Sequence, residues 1–168
     1  MASADLATLF RGFPISHALL THHELMTTVL IRAFGAIHAR QTYLEDDGDS
    51  LVRWSTLYQT ATSAPLLHAE LVIFKPALPV GFLDRLCTGT RPFGSLLIEA
   101  GLEVRMTDRR LFQAGPPNEA HVGAWGRRHR MLRSSDDTLL CDVEERLEDE
   151  CTLQDLILPV ARDRLART

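Results

Sequence analysis

The sequence predicts an α+β fold in which one antiparallel β-sheet of about six strands packs against helices. Helical spacing of apolar residues is confined to the two ends of the chain and to one short insertion. Between them, six segments rich in strand-forming residues are separated by turn sequences, which is typical of successive hairpins. No repeat or linker divides residues 1–168, so we expect a single domain with its own core.

The N-terminal part, residues 4–34, is predicted to be helical. Leu25, Val29 and Ala33 recur at the spacing of one helix face. Thr21 followed by Glu24 matches a capping box at the start of a helix.

Three strands are predicted next, at residues 35–45, 51–61 and 66–74. An acidic turn containing the pair Asp47-Gly48 joins the first two, and Pro65 stands at the second turn. Because both connections are short, these strands are expected to pair as antiparallel neighbours.

The predicted insertion follows the third strand, which Pro76 and Pro79 end. It contains short helices at residues 80–86 and 95–100. The remaining strands are predicted at residues 102–113, 120–132 and 138–147, and a C-terminal amphipathic helix at residues 153–165.

Composition excludes several classes of protein. The 168 residues carry a formal net charge of −4, which argues against nucleic acid as a partner. No apolar run approaches membrane-spanning length and no signal pattern is present, so we expect a cytoplasmic protein. Three cysteines without paired spacing indicate neither disulfides nor zinc, and the histidines lack metal-ligand spacing.

The segment Gly123–Met131 concentrates three arginines in a predicted strand. Side chains alternate along a strand, so Arg128 and Arg130 face one way and Arg127 and His129 the other. A guanidinium group binds a carboxylate through two parallel hydrogen bonds, so such a face suits a ligand with more than one carboxylate. A solvated outer sheet face is the alternative interpretation.

Four patches together resemble the chorismate lyase family, whose enzymes eliminate pyruvate from chorismate to give 4-hydroxybenzoate. They reach from about residue 18 to about residue 148. The patches are Trp125-Gly126-Arg127-Arg128 with Arg130, the turn Pro92-Phe93-Gly94, the run from Pro65 to Gly94, and Met26-Thr27. The resemblance implies a chorismate lyase-like fold and a cofactor-independent lyase for a carboxylic acid.

The resemblance also implies a ligand site. Arg53 would bind the ring carboxylate, although an ungapped comparison places Ser55 there. The backbone N–H of Phe93, in the turn before Gly94, would meet the same carboxylate, and Met26 would cover the ligand from the helical side. Arg128 and Arg130 are the further candidate anion-binding residues, and we expect them to converge with Arg53 in one enclosed cavity.

An acid of the last strand holds the product hydroxyl in the family. Without a gap it corresponds to Asp142, and a slip of one or two residues makes it Val143 or Glu144. Glu70 is a departure, because the family has an arginine there and an acid would repel a dianion. Either Glu70 points away, or Arg128 or Arg130 supplies the missing charge, or the ligand differs.

Three functions therefore compete. The first is a chorismate pyruvate-lyase with Arg53, Glu70, Asp142 and Glu144 as the candidate catalytic residues. The second is a cyclase or isomerase of the same fold, suggested by Glu70. The third is a non-catalytic sensor domain for a small molecule, acting without DNA. In each case we expect a small-molecule ligand, no metal or organic cofactor, no nucleic acid or membrane partner, and a monomer or weak homodimer.

Overall fold

The computed structural model describes residues 12–114 and 124–165 and confirms the predicted α+β class. Six antiparallel strands form one sheet in the order β1-β2-β3-β6-β5-β4. The strands are β1 (Ile37–Asp47), β2 (Ser50–Gln59), β3 (Pro65–Phe74), β4 (Val104–Ala114), β5 (Ala124–Arg133) and β6 (Leu139–Leu147). The helices are α1 (Pro14–Thr21), α2 (Met26–Phe34), α3 (Phe82–Cys87), α4 (Phe93–Glu99), α5 (Glu150–Leu156) and α6 (Pro159–Leu165), with one 3-10 turn at Lys75–Ala77.

Two helix boundaries differ from the prediction. Thr21 ends α1 instead of capping α2, and its hydroxyl donates to the carbonyl of His17. The predicted C-terminal helix is two helices, because Pro159 lacks the N–H that would continue α5 and is suited to begin α6. Residues 4–11 of the predicted N-terminal helices and residues 120–123 of the fifth strand lie outside the described residues.

The sheet has an inner face, covered by helices, and an outer face. Period-two burial along β2, β3, β5 and β6 marks the two faces. The register forms two rows of neighbours on the inner face. The first row is Arg53, Leu71, Val143 and His129, and the second is Ser55, Ala69, Glu145 and Arg127.

Gly126 has a packing reason that explains its place before the paired arginines. A Cβ at this position would lie 2.5 Å from the Phe112 ring and 2.6 Å from the backbone oxygen of Glu145. Because the backbone of β6 cannot move aside cheaply, only glycine lets β5 pass between these neighbours. Gly126 thus fixes how the strand that carries Arg127 sits against β6.

Glu150 holds α1 over the inner face. Its buried carboxylate accepts hydrogen bonds from the N–H groups of Ile15 and Ser16 at 2.8 and 2.9 Å, and from the Ser16 hydroxyl at 2.7 Å. The N–H groups of a first helical turn have no intrahelical acceptor, so this carboxylate satisfies them. The start of α5 therefore fixes the start of α1.

Among the helices that the structure describes, none is both long enough and apolar enough to span a membrane.

We expect Glu150→Ala to lower the free energy of unfolding by about 2–4 kcal/mol, because it leaves three buried donors without an acceptor. Urea unfolding followed by circular dichroism measures the change. Asp155→Ala, at an exposed position of the same helix, is the control and should change stability by less than about 0.5 kcal/mol. Equal stability of the two variants would contradict the role given to Glu150.

Candidate functional site

The two faces of the sheet separate the predicted site residues into two groups. Arg53 belongs to the inner face, where Met26, Phe93 and Gly94 of the covering helices meet it at one cavity. The other five residues line a groove on the outer face: Glu70, Arg128, Arg130, Asp142 and Glu144. The expectation that Arg53, Arg128 and Arg130 converge in one cavity is therefore not met.

The inner cavity is small and mostly apolar. Its volume is about 40 Å³, and Leu71, Met131 and Val143 supply much of its sheet-side wall. The polar residues at its wall are Thr27, Arg53, Ser55 and Glu145. This volume is far below the ~300 Å³ of ordinary ligand pockets, so the cavity as it stands is too small for an organic ligand.

Arg53 is the most unusual residue of this cavity. Its side chain is fully buried, with Nε donating to Gln41 Oε1 at 3.2 Å and Nη2 to the carbonyl oxygen of Arg91 at 3.1 Å. No carboxylate of the described residues forms an ion pair with it. Burial lowers the pKa of Arg53 to about 10, so the group stays protonated at neutral pH. The cavity therefore contains a positive charge that lacks a counter-ion.

Gly94 allows α2 to close the cavity. A Cβ on Gly94 would lie 2.5 Å from Oγ1 and 3.0 Å from Cβ of Thr27, closer than side chains pack. Its absence lets the first turn of α2, with Met26 and Thr27, rest directly on the first turn of α4. Leu25 and Met26 thereby cover Arg53 from the helical side.

Glu145 is the acid of the last strand that faces the cavity, and it was not among the predicted site residues. It is 7% exposed and accepts a 2.6 Å hydrogen bond from Arg127 Nε, whereas Asp142 and Glu144 face outward. The alternation of buried Cys141, Val143 and Leu147 was the available signal, because residue 145 has the same parity.

The outer groove is large, but Arg128 and Arg130, its two predicted anion-binding residues, are already paired. It encloses about 740 Å³ and is open to solvent. Arg128 Nε lies 2.5 Å from Glu144 Oε2, and Arg130 Nε lies 3.2 Å from Asp142 Oδ1. The two arginine side chains are 66% and 58% exposed. A ligand carboxylate here would compete with a protein carboxylate and with water, so the groove offers a weak anion site.

Glu70 points away from Arg53. It lies on the outer face and pairs with Arg146. The sheet separates its charge from the inner cavity. Glu70 would therefore not repel an anionic ligand bound in the inner cavity.

Buried His129 and half-buried His22 lie near Arg127. Burial lowers the pKa of His129 to about 4, with Arg127 adding to the effect and Glu145 opposing it. Burial also lowers the pKa of His22 to about 4, assisted by Arg127 and Arg109 and opposed by Glu145 and Glu24. Both rings are therefore neutral at physiological pH.

Within residues 12–114 and 124–165, the structure brings no group of three or more potential metal-ligating side chains together.

Comparisons with known proteins give no assignment at the level of sequence. No family model matches the chain, and no curated protein matches it. Solved structures with similar folds include a GntR-family transcriptional regulator from Bacillus cereus (10% identity, TM-score 0.42, covering 66% of this chain and 90% of the regulator). At these scores the similarity carries no functional argument.

Two further structures are similar to the same degree. The ligand-binding domain of a putative GntR-family regulator from Bordetella bronchiseptica shares 12% identity, with a TM-score of 0.43 over 67% of this chain and 83% of that domain. The possible transcriptional regulator YydK from Bacillus subtilis shares 10%, with a TM-score of 0.48 over 88% and 86%.

The lowered pKa values of His129 and His22 predict how stability depends on pH. Between an unfolded-state pKa of about 6.5 and the folded value of about 4, the unfolded chain binds protons that the folded chain does not. The free energy of unfolding should therefore fall as the pH is lowered through this range, and be unaffected by these rings above it.

Urea unfolding at intervals between pH 4.5 and 7.5 measures this dependence. His129→Leu should flatten the pH profile, because it removes one of the two groups responsible. Equal slopes for the variant and the original chain would contradict the burial of a neutral His129.

Proposed function

We propose that this chain is a binding domain for a small organic acid, held in the inner cavity with its carboxylate on Arg53. The observation that carries the proposal is the fully buried Arg53 guanidinium, which has no acidic partner in the part of the chain that the structure describes. A buried charge is costly unless it is paired, and a ligand carboxylate would provide the pair.

The surroundings of Arg53 fit such a ligand. Its hydrogen bond to the carbonyl of Arg91 places the guanidinium at the loop that leads into α4. Phe93 is the first residue of α4, and N–H groups of a first helical turn lack an intrahelical acceptor. A carboxylate between the two would receive hydrogen bonds from both, as the resemblance to chorismate lyases implies.

The rest of the cavity favours a flat apolar body. Leu71, Met131 and Val143 form one wall, and Met26 and Phe93 face them from the helices. Aromatic and unsaturated carboxylates match this combination of one charged end and an apolar slot. The cavity of about 40 Å³ is too small for such a ligand. Ligand binding would therefore require residues 25–27, which cover the cavity, to move away from α4.

Replacement of Arg53 tests the proposal. Arg53→Met should weaken 4-hydroxybenzoate binding by roughly 10- to 100-fold, the effect of losing charge-assisted hydrogen bonds. The variant should fold at least as stably as the original chain, because Met fills similar space without a buried charge. Isothermal titration calorimetry measures the affinity and urea unfolding the stability.

Arg128→Met is the matched control, since it removes an exposed arginine from the opposite face of the same sheet. The affinity of Arg128→Met for 4-hydroxybenzoate should equal that of the original chain. A loss of binding in Arg128→Met with none in Arg53→Met would move the site to the outer groove and refute the proposal.

Chorismate pyruvate-lyase activity is the second candidate, because Glu145 adds a buried carboxylate to the cavity that contains Arg53. In that reaction Arg53 would hold the ring carboxylate. Glu145 would contact the hydroxyl end of the ring. The ring C–O bond to the enolpyruvyl group would break with its electron pair leaving on enolpyruvate, and the neighbouring ring carbon would give up its proton to the departing enolpyruvate, so that pyruvate forms and the ring becomes aromatic. Glu70, which suggested a cyclase, lies outside this cavity.

Pyruvate release from chorismate separates the two candidates. An enzyme would release pyruvate and 4-hydroxybenzoate in equal amounts, and Glu145→Gln would abolish turnover while 4-hydroxybenzoate still binds. Binding without pyruvate release would leave the domain as a sensor of organic acids.

A further inference from the structure

A second group of polar side chains, two of them buried and one half-buried, lies near the inner cavity and the turn between α1 and α2. We call Arg127, His129 and His22 the donor cluster. Arg127 and His129 are on the inner face of β5, and His22 follows α1. The two β5 side chains are almost fully buried, at 0% and 4% exposure.

Among the residues that the structure describes, most hydrogen-bonding groups of the donor cluster have no partner. Arg127 Nε donates to Glu145, while Nη1 and Nη2 are buried without an acceptor from residues 12–114 or 124–165. Within the same ranges, neither ring nitrogen of His129 has a partner. Buried polar groups are almost always satisfied by protein, water or a ligand, so these atoms indicate an occupant.

The unpaired atoms are mainly donors. His22 Nδ1 accepts a hydrogen bond from the Glu24 N–H at 3.1 Å, so in the neutral ring the proton is on Nε2. That Nε2–H is also buried without an acceptor. Together with both Nη groups of Arg127 and one N–H of His129, it forms a set of donors that an oxyanion would satisfy.

Local charge also favours an anion. Arg109 donates from Nη1 to the carbonyl oxygens of Thr21 and His22, at 2.8 Å each, which fixes the turn over the donor cluster. Arg109 and Arg127 contribute two positive charges and Glu145 one negative charge, and both histidines are neutral. The donor cluster and its immediate neighbours therefore carry a net positive charge.

We propose that the donor cluster binds a second anionic group of the ligand, so that the domain recognises an elongated dicarboxylate. This inference rests on the proposed function and specifies its ligand class. Glu145 connects the two sites, because it lines the cavity of Arg53 and also pairs with Arg127. Arg53 and Arg127 stand three strands apart, roughly 14 Å between backbones, which separates the two carboxylates along the ligand.

Titration calorimetry with benzoate, terephthalate and 4-carboxycinnamate tests the proposal on the full chain. At least one of the two dicarboxylates should bind roughly tenfold or more tightly than benzoate, the effect of one charge-assisted hydrogen bond. His129→Leu and Arg127→Lys should each remove this preference and leave benzoate affinity unchanged. Arg127→Lys keeps a cation beside Glu145, so the folded chain is retained.

The matched control is Arg130→Met, which removes an arginine of the same strand from the outer face and should keep the preference. Unfolding midpoints show that each variant is folded. If benzoate binds through Arg53 but neither dicarboxylate is preferred, or His129→Leu retains the preference, the second subsite is refuted, the cluster holds water only, and the proposed function stands.

The reverse outcome is distinguishable. If benzoate does not bind, and a dicarboxylate binds equally to the original chain and Arg53→Met but not to His129→Leu, the subsite stands and the proposed role of Arg53 fails.

Discussion

A buried guanidinium without a protein counter-ion is the constraint on which the site depends. Arg53 lies in β2 under α2 and α4, and its guanidinium donates to the neutral oxygens of Gln41 and Arg91. Folding removes its water, and no carboxylate of the described residues pairs with it in return. The inner face therefore has an unmet electrostatic requirement, and a small organic acid is the simplest group that meets it.

Charged side chains on the two faces of the sheet lie in different environments. On the outer face, arginines and carboxylates of β5 and β6 stand opposite one another, and water screens them. On the inner face, the buried Arg53 and Arg127 outnumber the buried Glu145, and the half-buried Arg109 adds a further positive charge beside them. Burial keeps the fields of Arg53, Arg127 and Glu145 strong. The same strand thus contributes surface ion pairs through Arg128 and Arg130 and a buried donor through Arg127.

The sequence was sufficient to predict the class of fold, because hairpin turns, proline breaks and helical spacing are local signals. The resemblance to chorismate lyases suggested Arg53, Met26, Phe93 and Gly94 as site residues, and the structure brings these four to one cavity. The sequence did not predict which face of β5 and β6 is covered by helices, because the alternation of side chains defines two faces without distinguishing the covered one. Trp125 and Met131 are buried, and Arg127 lies on the same face of β5, so predicting their burial would have assigned Arg127 to the inner face. In the same way, predicting the burial of Leu147 would have assigned Glu145 to the inner face of β6. The covering contacts are long-range, and no local pattern contains them.

A crystal structure of the chain with 4-hydroxybenzoate tests the central claim most directly. The account predicts both carboxylate oxygens within hydrogen-bond distance of the Arg53 guanidinium, the ring between Met26 and Val143, and residues 25–27 displaced from α4. A ligand seated against Arg128 and Arg130 in the outer groove, with Arg53 still bonded only to Gln41 and Arg91, would contradict it.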